Sequence, residues 1–157
     1  MSPAPAPNPA PQPAANPAAI AGLVAYFENL SPASVAHIAQ YYAAQARFKD
    51  PFNDVTGLSE IRRIFEHMFV ALIRPRFVVT QHICQGEQCF LTWEFRFEFR
   101  GFHKGKEQVI LGASHLVLDE HGLVVLHRDY WDAAEELYEK LPWVGGLMRW
   151  LKRRANS

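Results

Sequence analysis

Apolar residues recur at helical spacing in the first half of the chain. The segment 20–29 (IAGLVAYFEN) places apolar side chains three or four residues apart, which predicts a first helix. Ser31 and Pro32 then supply an N-cap and a first-turn proline for a second helix. This second helix is expected to run to about Ala44.

A third helix is predicted between Gly57 and Pro75, where Pro75 is expected to end it. Its apolar side chains fall at i, i+3 and i+4 positions: Ile61, Ile64, Phe65, Met68, Phe69 and Leu72. The segment 46–53, which precedes this helix, is expected to be a short extended piece because Pro51 disfavours helix at the residue before it.

The second half of the chain has the patterns of β-strands. Strands are predicted at 76–83, which is rich in β-branched residues, and at 90–100, 107–118 and 123–131. Residues 119–122 are expected to form a hairpin turn. Helices followed by a four-stranded antiparallel meander predict an α+β domain.

The predicted strand 90–100 alternates strictly between apolar and polar residues. One face carries Leu91, Trp93, Phe95, Phe97 and Phe99. The other face carries Thr92, Glu94, Arg96, Glu98 and Arg100. Together with His115, these charges form a sign-balanced outer surface, which is either a dimer interface or a solvated face.

Composition places the folded unit at about residues 20–157 of the 157-residue chain. Residues 1–19 contain seven Pro, seven Ala and no charge, so they are expected to form a disordered tail. From about residue 132 a helical extension is expected. Its Trp, Leu, Arg and Lys residues could cover the pocket or a dimer partner; contact with a membrane is possible but less favoured.

Charge and motifs exclude several classes of function. Sixteen basic residues balance sixteen acidic ones, which leaves no general field for nucleic acid. There is no glycine-rich phosphate loop, metal-ligand spacing or nucleophile elbow, so no cofactor and no metal are expected. Cys84 and Cys89 flank a turn and could pair across a hairpin, but a cytoplasmic location is expected to keep them as free thiols.

Asp50 is the first candidate for chemistry. It lies between Phe48 and Phe52, directly before a proline. Desolvation by aromatic neighbours raises the pKa of a carboxyl group, as a general base acting near neutral pH requires. The alternative is an aspartate that caps the turn at Pro51.

The chain resembles the SnoaL-like and ketosteroid isomerase-like group of the nuclear transport factor 2-like superfamily. The resemblance is carried by YYAAQARFKDPFN, GLSEIRRIFEHMF, LDEHG and RDYWD and covers about residues 20–135. It implies a cone-shaped, strongly curved antiparallel sheet around an apolar pocket. It also implies either a cofactor-independent isomerase acting on an apolar carbonyl compound, such as a steroid-like or polyketide-like ring, or a non-catalytic binding module.

The same resemblance assigns site residues. Asp50 falls at the position of the isomerases' general base, Tyr26 at that of their oxyanion-binding tyrosine, and Trp131 at a pocket-lining position. Ser114 stands where those enzymes have a second acid, which predicts a weaker isomerase. Other residues expected to contact the ligand are Tyr42, Phe65, Trp93, Phe95 and Phe97. Family members often form homodimers through the outer sheet face.

A second candidate pair follows if Trp131 points into the pocket. Period-two alternation then places Asp129 and His127 on the same side of the last strand. A contact between His127 Nδ1 and the Asp129 carboxylate would make an acid–base pair near neutral pH. The alternative is a buried pair that only satisfies itself. Asp50, Tyr26, His127 and Asp129 are therefore the candidate catalytic residues.

Overall fold

The computed structural model describes residues 16–101, 103 and 105–138. In chain order the elements are α1 (Pro17–Glu28), α2 (Pro32–Val35), a 3₁₀ turn (Ile38–Gln40), β1 (Tyr42–Lys49), β2 (Asp54–Thr56), α3 (Leu58–Ala71), β3 (Leu72–Gln85), β4 (Gln88–Phe99), β5 (Gln108–Leu118), β6 (Val124–Tyr130) and α4 (Ala133–Glu136). This order confirms the predicted α+β class.

The strands form one six-stranded sheet in the order β2-β1-β6-β5-β4-β3. The predicted antiparallel meander is present as β3 to β6. Strand β1 extends it by pairing parallel with β6, so the sheet is mixed. Helices α1 and α3 pack against the sheet, and α3 contacts both β1 and β3 at its two ends. The sheet face beneath the helices holds the core.

The prediction of a second helix to Ala44 is wrong. Helix α2 ends at Val35, and strand β1 begins at Tyr42. The buried residues Tyr42 and Ala46 are four apart, which fits one face of a helix and one face of a strand equally well. Pairing with β6, 80 residues further along the chain, selects the strand, and no local pattern reports that pairing.

Strand β3 begins earlier than predicted. Pro75, which was expected to end the preceding helix, lies inside the strand. Helix α3 ends at Ala71, and the strand starts at the next residue. Pro75 falls in a register shift between Ile73 and Arg76, next to Arg74 with φ 50°. β3 is an edge strand, where a bulge tolerates a proline that has no N–H to donate.

The alternation of β4 holds on the inner face, where Leu91, Trp93, Phe97 and Phe99 are buried. On the outer face, two of the charged side chains are engaged by other parts of the protein. Glu98 is only 8% exposed and pairs with Arg74. Arg100 turns to the end of α3, where its Nε donates to the Val70 carbonyl at 2.7 Å.

Cys84 and Cys89 form a disulfide, so the expectation of free thiols is wrong. They are direct partners in the β3–β4 register, and their Cα atoms lie 4.1 Å apart. Facing positions of antiparallel strands bring cysteine side chains within bonding reach. The cytoplasmic location from which free thiols were inferred stays a prediction.

The first helix begins slightly before the sequence-based bound. Helix α1 begins at Pro17, inside the expected tail, because the Asn16 side chain accepts from the Ala18 N–H and caps it. Residues 1–15 and 139–157, which include most of the expected tail and C-terminal extension, lie outside the described residues. Within the described ranges, no helix has the length and apolar character needed to cross a membrane.

Candidate active site

A cavity of about 380 Å³ lies between the inner face of the sheet and helix α3. Pockets for small molecules begin at about this size. From β4 it is lined by Trp93, Phe95, Phe97 and Phe99, and from α3 by Ile64, Phe65, His67, Met68 and Ala71. The other lining residues are Phe48, Asp50, Phe52, Leu72, Phe77, Ile110, Asp129, Trp131 and Leu137.

Three polar side chains interrupt this apolar lining: Asp50, His67 and Asp129. Asp50 lies in the turn after β1, His67 on α3 and Asp129 on β6. The Asp129 side chain is 13% exposed and also borders a smaller cavity of about 20 Å³ beside Ser114 and His127. Among the lining residues in the described part of the chain there is no Lys or Arg.

Asp129 ends a buried chain of hydrogen bonds. Tyr42 Oη lies 2.6 Å from His127 Nδ1, and His127 Nε2 lies 2.7 Å from Asp129 Oδ1. From the other side, Trp93 Nε1 donates to Ser114 Oγ at 2.9 Å, and Ser114 Oγ donates to Asp129 Oδ1 at 2.5 Å. His127 thus meets the carboxylate through Nε2, and the expected Nδ1 contact is wrong because Tyr42 occupies Nδ1.

Tyr42 and Asp129, at the two ends of these hydrogen bonds, decide which groups donate. Burial, with a further contribution from the Asp129 charge, raises the pKa of Tyr42 well above its ordinary value, so the phenol keeps its proton. The Asp129 carboxylate only accepts, so His127 donates to it from Nε2, and in the neutral imidazole Nδ1 then accepts from the Tyr42 hydroxyl. Asp129 Oδ1 receives hydrogen bonds from both sides, while Oδ2 accepts none from the described residues.

Strand register brings these groups together. Ser114 of β5 is the direct partner of Asp129 of β6. Trp93 of β4 faces Gly112 of β5, and a Cβ at Gly112 would lie 2.2 Å from the indole ring. Glycine at this position therefore gives the indole the space to lie across β5 and reach Ser114.

Asp50 borders the cavity but has the hydrogen bonds of a turn cap. Its Oδ1 accepts from the backbone N–H of Phe52 at 2.7 Å and of Asn53 at 2.6 Å. The Asn53 amide also lies 3.0 Å from both carboxylate oxygens. An oxygen that already accepts these bonds has little capacity left for a substrate proton, so the geometry matches the turn-capping alternative.

Tyr26 was assigned to the position of the isomerases' oxyanion-binding tyrosine, but it does not line the cavity. Its ring stacks on Tyr41 at 4.0 Å between centroids, and its hydroxyl donates to the Ser34 carbonyl at 3.5 Å. Burial and the neighbouring Tyr41 raise the pKa of Tyr26 to about 12. From the same turn of α1 it is Phe27 that reaches the site, 5.5 Å from the His127 ring.

The other expected ligand contacts divide into two groups. The residues that line the large cavity are Phe65, Trp93, Phe95, Phe97 and Trp131. Tyr42 and Ser114 do not line it: Tyr42 is buried behind His127, and Ser114 borders only the smaller cavity. Both lie behind the cavity wall, where Ser114 bonds Trp93 and Asp129, and Tyr42 bonds His127.

The sequence did not indicate His67 as a candidate site residue, although its side chain lines the cavity. It lies three residues after Ile64 and directly before Met68, at the border of the apolar face of α3. Helical spacing alone could have placed it at the pocket rim. Tyr42 as the partner of His127 had no such signal, because the contact joins β1 to β6.

The model of the SnoaL-like domain family matches residues 23–127, about two thirds of the chain. The chain belongs to the SnoaL-like family. The match confirms the resemblance in the sequence, and with it the fold of the nuclear transport factor 2-like and ketosteroid isomerase-like proteins. No curated protein sequence matches the chain.

Solved structures share this SnoaL-like fold at low sequence identity. A proposed SnoaL-like polyketide cyclase from Shewanella putrefaciens is 20% identical, with 78% of this chain and 97% of that one aligned at a TM-score of 0.63. An LEH-like epoxide hydrolase from M. tuberculosis is 10% identical, with 86% and 90% aligned at 0.62. A protein of ketosteroid isomerase-like fold from Catenulispora acidiphila, in complex with trimethylamine, is 14% identical, with 78% and 91% aligned at 0.64.

Proposed function

We propose that this SnoaL-like domain binds an apolar carbonyl compound in its cavity and that Asp129 transfers a proton to and from it without a cofactor. The observation that carries the proposal is the placement of Asp129. It is a carboxylate at the wall of an aromatic cavity, fixed at Oδ1 by Ser114 and His127 while Oδ2 stays available. This moves the role of base from Asp50 to Asp129.

The proposed step is an enolisation. Asp129 Oδ2 takes a proton from the carbon next to the carbonyl, the C–H electron pair forms a C=C bond to the carbonyl carbon, and the C=O π pair moves to the oxygen to form an enolate. The proton then returns at the same carbon or at a conjugated one, which gives exchange or isomerisation. Aromatic walls exclude water, so the carboxylate acts on the C–H bond without competition from solvent.

The enolate oxygen needs a hydrogen-bond donor, and Tyr26 is not in position to be one. His67 is the lining side chain whose ring N–H can serve, and it stands on α3 while Asp129 stands on β6. The ligand would lie between the two walls. Donors aimed at developing negative charge are a large part of the catalysis of such reactions.

Hydrogen–deuterium exchange at the α-carbon tests the proposal. A panel of neutral cyclic ketones is incubated in D₂O with wild type or Asp129→Asn, and exchange is followed by NMR. Removal of a general base is expected to slow exchange about 10²–10⁴-fold. Glu120→Gln, at an exposed turn carboxylate, is the matched control and should exchange like wild type. Equal exchange in wild type and Asp129→Asn contradicts the proposal.

A second candidate is a non-catalytic binding module. It is favoured by the complete pairing of the buried polar groups: in the described residues, no buried side-chain nitrogen or oxygen lacks a hydrogen-bond partner. In that case Asp129, His127 and Ser114 shape the cavity wall and nothing more. Ketones that bind without any exchange in wild type support this candidate.

We also propose a homodimer through the outer sheet face. Three apolar side chains are exposed on neighbouring strands of that face: Ile83 on β3 at 74%, Phe90 on β4 at 50% and Leu111 on β5 at 58%. Beside them, Glu94 and Glu107 form ion pairs with Arg96 and Arg76, so the charges balance in sign. A self-complementary face of this kind suits a second copy of the same chain.

A further inference from the structure

We propose that the carbonyl compound bound in the cavity is an organic cation: its apolar part fills the aromatic interior, and its ammonium group lies between Asp50 and Asp129. The inference names the ligand class of the proposed site and rests on the proposed function for the cavity being the site. It gives Asp50 a role, as a counter-ion in place of a base.

The charged side chains of the cavity lining are acidic. In the described residues the lining holds two carboxylates, Asp50 and Asp129, and no Lys or Arg. The hydrogen-bond donors to Asp50 are amides, which are neutral. The donors to Asp129 are the Ser114 hydroxyl and the His127 imidazole. Among the described residues, neither carboxylate therefore has a Lys or Arg as its partner.

The nearest cations are engaged elsewhere. Lys49 and Arg128 line a groove that adjoins the cavity at Asp50, Asp129 and Trp131. The Lys49 ammonium lies 3.1 Å from Asp54, and the Arg128 guanidinium lies over the Tyr130 ring, 4.7 Å from its centroid. Neither residue lines the cavity itself. A ligand cation is thus not displaced by a cation of the protein.

Aromatic side chains surround these carboxylates. Phe52, which is 53% exposed, meets the Trp131 ring edge-on at 5.5 Å between centroids, and both line the cavity with Asp50. Aromatic faces attract organic cations, and Trp does so most strongly. Aromatic rings together with carboxylates bind an ammonium group, whereas the same carboxylates repel an anion. The chemistry therefore favours a cation over a neutral ligand and a neutral ligand over an anion.

The test compares three ligands of similar shape by ligand-observed NMR with the full chain. They are benzyltrimethylammonium, its neutral carbon isostere neopentylbenzene, and the anion 4-phenylbutyrate. The cation is expected to bind about tenfold more tightly than the isostere, and the anion most weakly. In Asp50→Asn the cation should lose most of this advantage, while the affinity for neopentylbenzene stays the same. Glu120→Gln should retain the advantage.

The outcomes separate this inference from the proposed function. Binding of neopentylbenzene as tight as, or tighter than, binding of the cation overturns the inference and leaves the cavity as a ligand site. A cation whose affinity is unchanged in Asp50→Asn also overturns it. Binding of none of the three also overturns the inference, and the exchange of the cyclic ketones then decides the proposed function separately. The wild-type comparison and Asp50→Asn do not depend on the folding of an Asp129 variant.

Discussion

At the scale of single residues, the site depends on which atom of His127 faces Asp129. Period-two alternation places the two side chains on one face, as the sequence predicted, but it does not say which imidazole nitrogen makes the contact. That is decided by Tyr42, which is fully buried and 85 residues away in the chain. Roles of this kind depend on a long-range partner, so no local pattern could show them.

The raised pKa of Tyr42 predicts a pH dependence of stability. In the unfolded chain the phenol ionises near its ordinary pKa of about 10, while in the folded protein it keeps its proton to higher pH. The stabilisation is therefore present below pH 10 and is lost as the pH rises above it, by at most about 1.4 kcal/mol per pH unit for one proton.

Tyr42→Phe should flatten this slope. It also leaves His127 Nδ1 without its donor, which should lower the free energy of unfolding at neutral pH by about 1–3 kcal/mol. Urea unfolding between pH 8 and 11 measures both effects, with Tyr130→Phe, at an exposed tyrosine, as control. Identical slopes for wild type and Tyr42→Phe would show that the buried phenol is not the group involved.

Gly112 predicts a second effect at residue scale. Its Cβ in Gly112→Ala would lie 2.2 Å from the Trp93 ring, so the indole must move and release Ser114. Overpacking of this kind costs about 1–3 kcal/mol. Gly22→Ala, in the exposed part of α1 with no atom within 4 Å of its Cβ, should instead stabilise by about 0.5–1 kcal/mol. Thermal unfolding and near-UV circular dichroism distinguish the two; an unchanged Trp93 signal in Gly112→Ala contradicts the prediction.

At the scale of elements, the sequence predicted what local periodicity controls. The alternation of β4 and the apolar face of α3 are strong patterns, and both elements lie within a few residues of the predicted bounds. The wrong assignments are those decided by pairing: β1, whose spacing fits helix and strand, and the start of β3, where an edge bulge accepts Pro75. The position of Tyr26 could not be predicted either, because packing decides which face of α1 turns to the cavity.

The two faces of strand β4 predict different effects of substitution on stability. Phe97 is 2% exposed, whereas Arg96 makes only partly exposed ion pairs with Glu94 and Glu107. Phe97→Ala should cost about 3–5 kcal/mol of unfolding free energy because it leaves a cavity in the core. Arg96→Ala should cost under about 1 kcal/mol. Urea unfolding of the two variants gives the comparison, and similar losses in both would contradict the assigned faces.

At the scale of the whole molecule, the inner face of the sheet forms the candidate site and the outer face is the proposed dimer interface. The inner face, covered by α3, forms the cavity and holds Asp129 at its wall. The outer face has no covering helix in the described part of the chain and exposes Ile83, Phe90 and Leu111. Because the two faces alternate along the same strands, a change on the outer face would alter the proposed dimer without touching a cavity residue.

The proposed dimer can be tested through this separation. Leu111 is the register partner of Glu94, so Leu111→Glu places two like charges side by side on the outer face. If a second copy covers that face, sedimentation velocity should show a dimer for wild type and a monomer for Leu111→Glu. Val70→Glu, at an α3 residue that is 70% exposed, adds the same charge away from the sheet and should stay dimeric. A monomeric wild type would contradict the proposed dimer. A dimer that survives Leu111→Glu would place the contact elsewhere, because an added carboxylate beside Glu94 is too costly to bury in an interface.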